Sequence, residues 1–138
     1  MKTKRVDTWA AALKDKPGAL AAKFNALAAA GANLEFVIAR RSPEKRGTGV
    51  VFVTPVKGPK QTRAAGAAGF KKTKSLHTVR LEGANKRGQG ARLTQALAGR
   101  GINLRGFSAA ALGNKFIAHI AVDTEAEANQ AARILSRL

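Results

Sequence analysis

The chain of 138 residues is long enough for one domain or two very small ones sharing a core, and too short for a large multidomain enzyme. Twenty-five Lys and Arg against eight Asp and Glu leave a net charge of +17, which favours anionic partners and opposes accidental self-association. The absence of cysteine excludes disulfides, a thiolate nucleophile and cysteine-ligated zinc.

The basic N-terminus MKTKRVDTWAAAL contains an apolar stretch, Trp9 to Leu13, that is too short for a signal sequence. No run approaches the ~20 apolar residues that span a bilayer, so the expectation is a cytoplasmic protein without a membrane partner. Val6 to Leu13 reads as a strand, and Pro17 with Gly18 marks a turn into a helix. Leu20, Phe24, Leu27 and Ala28 recur at helical spacing and form one apolar face, which stops at Gly31. Residues 34–40 and 49–54 read as an antiparallel pair joined by the polar segment SPEKRG. Residues 59–69 permit a short helix, and the segment FKKTKS suggests an edge strand protected by its lysines.

Residues 85–104 then repeat residues 15–34 at a constant offset of 70, with nine of twenty positions identical. The matches of Gly18 with Gly88, Gly31 with Gly101 and Asn33 with Asn103 fall at punctuating positions, which points to duplication. Residues 77–81 read as a strand, 91–100 as a helix, and 103–111 and 115–122 as a strand pair around LGN. Thr124 caps the last helix, with Glu127 completing a capping box, and Ala128, Ala131, Ala132, Leu135 and Leu138 make its buried stripe. The predicted fold class is α+β, with two ferredoxin-like βαββαβ modules in tandem at residues 1–74 and 75–138. The second has no obvious fourth strand, so its open edge must be short, paired or covered.

Two readings stand for the repeated loop. In one, backbone N–H groups of Gly18, Ala19 and Leu20 meet a ligand carboxylate, Pro17 fixes the approach, and Asp15 holds an ammonium. In the other, Asp15 caps the helix and the glycine relieves a tight turn. Asn33 and Asn103, expected at the same end of the sheet as the loop, either read a ligand's polar groups or organise a turn. In the second copy Asn85, Arg87, Gly88, Gln89 and Gly90 replace Asp15, Pro17, Gly18, Ala19 and Leu20, giving a more flexible loop without the fixed negative charge.

The segment DKPGAL with the later GANL resembles the ACT domain, a ligand-sensing module of amino-acid metabolism, and NKRGQG with GINL is a degenerate echo of it. The resemblance implies a tandem ACT protein that regulates rather than catalyses, pairs its sheet with another ACT module and binds an amino acid at the module interface. By the family pattern Asp15 and Asn33 contact ligand in the first module, and Asn85 and Asn103 in the second. Arg40, Phe36, Phe107 and Ser108 are possible neighbours. The expected partners are a small-molecule ligand, a second copy in a homodimer and a regulated protein.

No catalytic triad emerges, His77 and His119 stand far apart, and no metal site or cofactor is expected. The rival class is nucleic-acid binding, since a ferredoxin-like sheet with several basic segments attracts phosphates non-specifically. The aromatic pattern of an RNA-recognition module and the terminal Lys-Ser or Lys-Thr of a P-loop are both missing.

Overall fold

Side-chain alternation along the central strands decides which face of each sheet is covered. In a computed structural model describing Met1–Leu138, Val79 and Leu81 of one strand and Ala118, Ile120 and Val122 of its neighbour are fully buried. In the other phase Arg80 and Glu82 stay partly exposed, whereas Thr78 and His119 are buried. The strands are β1 (Lys2–Val6), β2 (Trp9–Lys14), β3 (Phe36–Arg41), β4 (Thr48–Thr54), β5 (Lys71–Lys72), β6 (His77–Ala84), β7 (Leu104–Leu112) and β8 (Lys115–Val122). The helices are α1 (Ala19–Ala29), α2 (Gly58–Ala67), α3 (Gln89–Ala98) and α4 (Glu125–Ser136). None is long and apolar enough to cross a membrane.

Two four-stranded antiparallel sheets form, in the orders β3-β4-β2-β5 and β1-β6-β8-β7. Each has the strand order of a ferredoxin-like module, and the second obtains its fourth strand from the start of the chain. Lys2 pairs with Glu82 and Val6 with Thr78, which closes the edge that the repeat alone leaves open. The expected strand Val6–Leu13 is therefore two strands in different sheets, broken at Asp7 and Thr8, where neither glycine nor proline signals a break. The compact units are residues 7–73 and residues 1–6 with 74–138, so the expected division at 74/75 differs by the first six residues and Lys74. We call them the inserted and host modules.

The host core joins Val79, Leu81, Ala118, Ile120 and Val122 of the sheet to Leu93 and Leu97 of α3 and Ala128, Ala131 and Leu135 of α4. The smaller inserted core holds Ala11, Leu27, Val51, Val53, Ala65 and Phe70, with Trp9, Leu13, Leu20 and Phe24 packed around it. Both first helices end alike. Ala32 N–H donates to Leu27 O and Gly31 N–H to Ala28 O, and Ile102 and Gly101 donate in the same way to Leu97 and Ala98. This six-to-one and five-to-two pairing needs a left-handed residue, and Gly31 (φ 83°) and Gly101 (φ 72°) supply it. The Lys23 ammonium donates to the Ala68 carbonyl at the end of α2, tying the two inserted helices together. In α4 the Thr124 hydroxyl accepts from Glu127 N–H at 3.1 Å, as expected of a cap.

Strand β1 also reaches α4: Thr3 Oγ1 donates to Ala132 O at 3.3 Å and Arg5 Nη1 to Asn129 Oδ1 at 2.6 Å. Removing residues 1–6 uncovers β6 and these contacts, so chemical denaturation of the host module should shift to lower urea while amide spectra of residues 7–73 stay in place. On β6, Glu82 accepts from Arg80 Nη1 at 3.2 Å and Lys115 Nζ at 3.3 Å, and these bonds hold its carboxyl below the ordinary range. The stabilisation is complete above the unfolded glutamate pKa, ~4.3, and disappears as pH falls through the lowered folded value. Urea midpoints followed with pH should therefore fall less on acidification in Glu82→Gln than in the parent.

Candidate functional site

Strand β2 runs out at Lys14, and the chain must turn back to lay α1 over the sheet. Asp15 N–H donates to Gly47 O at 3.0 Å, Lys16 N–H to Lys14 O at 2.9 Å and Ala19 N–H to Lys16 O at 3.3 Å. Gly18 sits at the helix N-cap with φ 85°, and no side chain caps the helix. An added Cβ there would meet nothing within 4 Å, so the residue answers a backbone demand and not a close approach. Asp15 is thus not the cap. Its Oδ2 accepts from Arg41 Nε at 2.8 Å, an exposed ion pair from the loop to the end of β3.

Around that pair lies a cavity of about 220 Å³. Leu13, Leu20, Ala39 and Gly49 give it apolar walls, and Lys14, Asp15, Lys16, Arg40 and Arg41 give it a charged rim. Of the expected residues, Asp15, Ala19 and Leu20 line it, with Pro17 and Gly18 between them in the loop. Arg40 was an expected neighbour; Arg41 makes the ion pair. Arg41 lies in phase with Val37 and Ala39, which pair with the buried Val53 and Val51, so counting by twos along β3 places it on the helix side.

Asn33 lies elsewhere, which corrects the expected placement. It precedes β3, whose first residue Phe36 pairs with Thr54, beside the Trp9 end of β2; Asp15 follows the Lys14 end. At ~3.3 Å per residue, the length of β2 separates them by roughly 17 Å. Asn85 and Asn103 likewise flank opposite ends of the host sheet. Phe36 starts β3, Phe107 lies on β7 beside Ile120, and Ser108 faces His119, so none joins the Asp15 cavity.

The second loop is committed to its own fold. Gln89 is 5% exposed, and its Nε2 donates to Ala84 O at 2.7 Å. Asn85 Nδ2 donates to Gly113 O at 3.3 Å. Gly88 repeats the left-handed N-cap at φ 78°, and Gly90 is half-buried in the first turn of α3. No group of three or more His, Cys, Asp or Glu side chains is placed to hold a metal ion.

The loop, helix and strand pair that build this cavity coincide with a family match. Residues 12–68 match the ACT domain family. The match covers 57 of the 138 residues, all within the inserted module. The host module repeats its ferredoxin-like fold, giving the architecture of a tandem ACT protein. Among solved structures, a protein from Bacteroides thetaiotaomicron superposes with a TM-score of 0.79 at 16% identity, over 95% of this chain and 88% of that one. The ligand-free regulatory subunit of aspartate kinase from Thermus thermophilus gives 0.67 at 18% identity, over 99% and 94%. Its counterpart from Thermus flavus gives 0.61 at 18%, over the same shares. At these identities the likeness is one of fold. No curated protein matches the sequence.

The two loops should respond differently to truncation. Gln89→Ala removes a buried hydrogen bond and should cost about 1–3 kcal/mol, whereas Asp15→Ala, at an exposed ion pair, should cost under about 1 kcal/mol. Urea denaturation of both variants checks the contrast.

Proposed function

We propose that the protein is an amino-acid-responsive regulator whose ACT module binds its ligand where two copies meet along β3. The observation that carries this reading is that the Asp15 cavity borders β3, an edge strand with Val37 and Ile38 still 39% and 37% exposed. Such an edge invites pairing with another strand. Antiparallel pairing of β3 with β3 of a second copy runs the two strands in opposite senses. The Arg41 end of one copy then lies beside the Phe36 end of the other, which brings Asp15 of one ACT module toward Asn33 of its neighbour. The two residues, at opposite ends of one module, become parts of one site, and two equal sites form per dimer. A ligand that binds across such an edge favours the dimer by mass action, which is how the protein would control a separate regulated protein.

Calorimetry with an amino-acid panel, combined with light scattering, tests the reading. A ligand should bind once per chain, Ile38→Lys should lower dimer content and affinity together, and Asn33→Ala should weaken binding as Asp15→Ala does. Full-affinity binding by a monomer would remove the interface from the proposal. A second reading, non-specific polyanion binding, is favoured by residues 45–81, which hold nine Lys and Arg and no acidic residue. It requires affinity for single-stranded RNA that falls steeply with salt.

A further inference from the structure

Resting on the amino-acid reading above, we infer that the ligand of the inserted module is an acidic amino acid, with one ammonium and two carboxylates. Asp15, Lys16 and Arg41 rim the cavity on the side of α1, while Lys14 and Arg40 border it from the strand phase that faces away from the helix. The carboxylate, Asp15, is already bonded to Arg41, and no ion pair engages Lys14, Lys16 or Arg40. The site therefore has positive charge in excess around a small apolar floor. A cationic amino acid adds like charge to it, and a neutral one leaves cations unmatched. Two carboxylates and one ammonium match the rim, the carboxylates facing Lys16 and Arg41 and the ammonium facing Asp15. At about 220 Å³ the cavity lies below the ~300 Å³ where pockets for larger ligands begin, which suits a single free amino acid.

The excess is not simply the general basicity of the chain. The duplicated module is an internal control, because the 70-residue offset carries Lys14 to Ala84, Arg40 to Ala110 and Arg41 to Ala111. The offset holds in space as well: Val37 opposite Val53 corresponds to Phe107 opposite Ile120. Of the four rim cations only Lys16 has a basic counterpart, Lys86. Meanwhile the two modules have almost equal net charge, +8 for residues 7–73 and +9 for the remainder. The cations are thus concentrated at a loop where a cavity opens beside an exposed carboxylate, and the second copy of that loop lacks them.

Calorimetric titration of the full chain with L-aspartate, L-glutamate, L-serine, L-lysine and succinate, at low and physiological ionic strength, tests the assignment. Aspartate or glutamate should bind at least about tenfold more tightly than serine, equivalent to ~1.4 kcal/mol, with lysine weakest and the preference shrinking as salt rises. The double variant Arg40→Ala/Arg41→Ala should lose that preference, Arg41→Lys should keep part of it, and Lys86→Ala should change nothing. Serine or lysine binding as tightly as aspartate, or a preference that survives the double variant, overturns the ligand class and leaves amino-acid sensing standing. Succinate binding as tightly as aspartate also overturns it, since the site would then read anions alone. If no amino acid of any charge binds, the sensing reading itself falls.

Discussion

Two helices cover one face of each sheet, and they must match the strands in length. An eleven-residue helix such as α1 rises about 17 Å, and a six-residue strand such as β2 extends about 20 Å. In the inserted module the β2–α1 turn therefore falls at one end and the α1–β3 turn at the other. This geometric match sets the site. It places the Asp15 loop, the tip of β3 and the β3–β4 hairpin at one end, and sends Asn33 to the other.

Much of the fold was legible in the residues. The Gly18/Gly88 and Gly31/Gly101 pairs mark backbone positions that only glycine adopts cheaply, so the repeat survives there where other positions drifted. Burial of Val51, Val53, Val79 and Leu81 follows from period-two alternation, and the Thr124 cap from its local sequence. The swapped strand was not legible. Nothing between Val6 and Trp9 signals a turn, and pairing Lys2–Val6 with His77–Ala84 is a contact across most of the chain. The loop beside the cavity was legible, but the partner of Asp15 required the phase of β3, because Arg40 and Arg41 are identical in type and differ only in the face they take.

The two copies have diverged in opposite directions. The host module has the larger core, a full-length fourth strand and a loop whose Gln89 and Asn85 bond to their own backbone. The inserted ACT module has the smaller core, a two-residue fourth strand and a loop whose charged groups remain at the surface. One copy ties its polar side chains to its own backbone; the other has kept them facing a cavity. Duplication makes this division possible, since stability supplied by one half relaxes the demand on the other.

The origin of β1 gives the insertion a thermodynamic meaning. Residues 7–73 separate two strands that must pair, and their ends are held together where Thr73 N–H donates to Thr8 O at 2.9 Å. Once the inserted module is folded, the loop that β1 and β6 must close shrinks from about seventy residues to a few, a saving of about 2–3 kcal/mol in closure entropy. The host sheet is thus completed through its guest. Loosening the inserted module lengthens the effective tether on β1, and tightening it shortens that tether, so connectivity alone transmits the state of one module to the edge of the other.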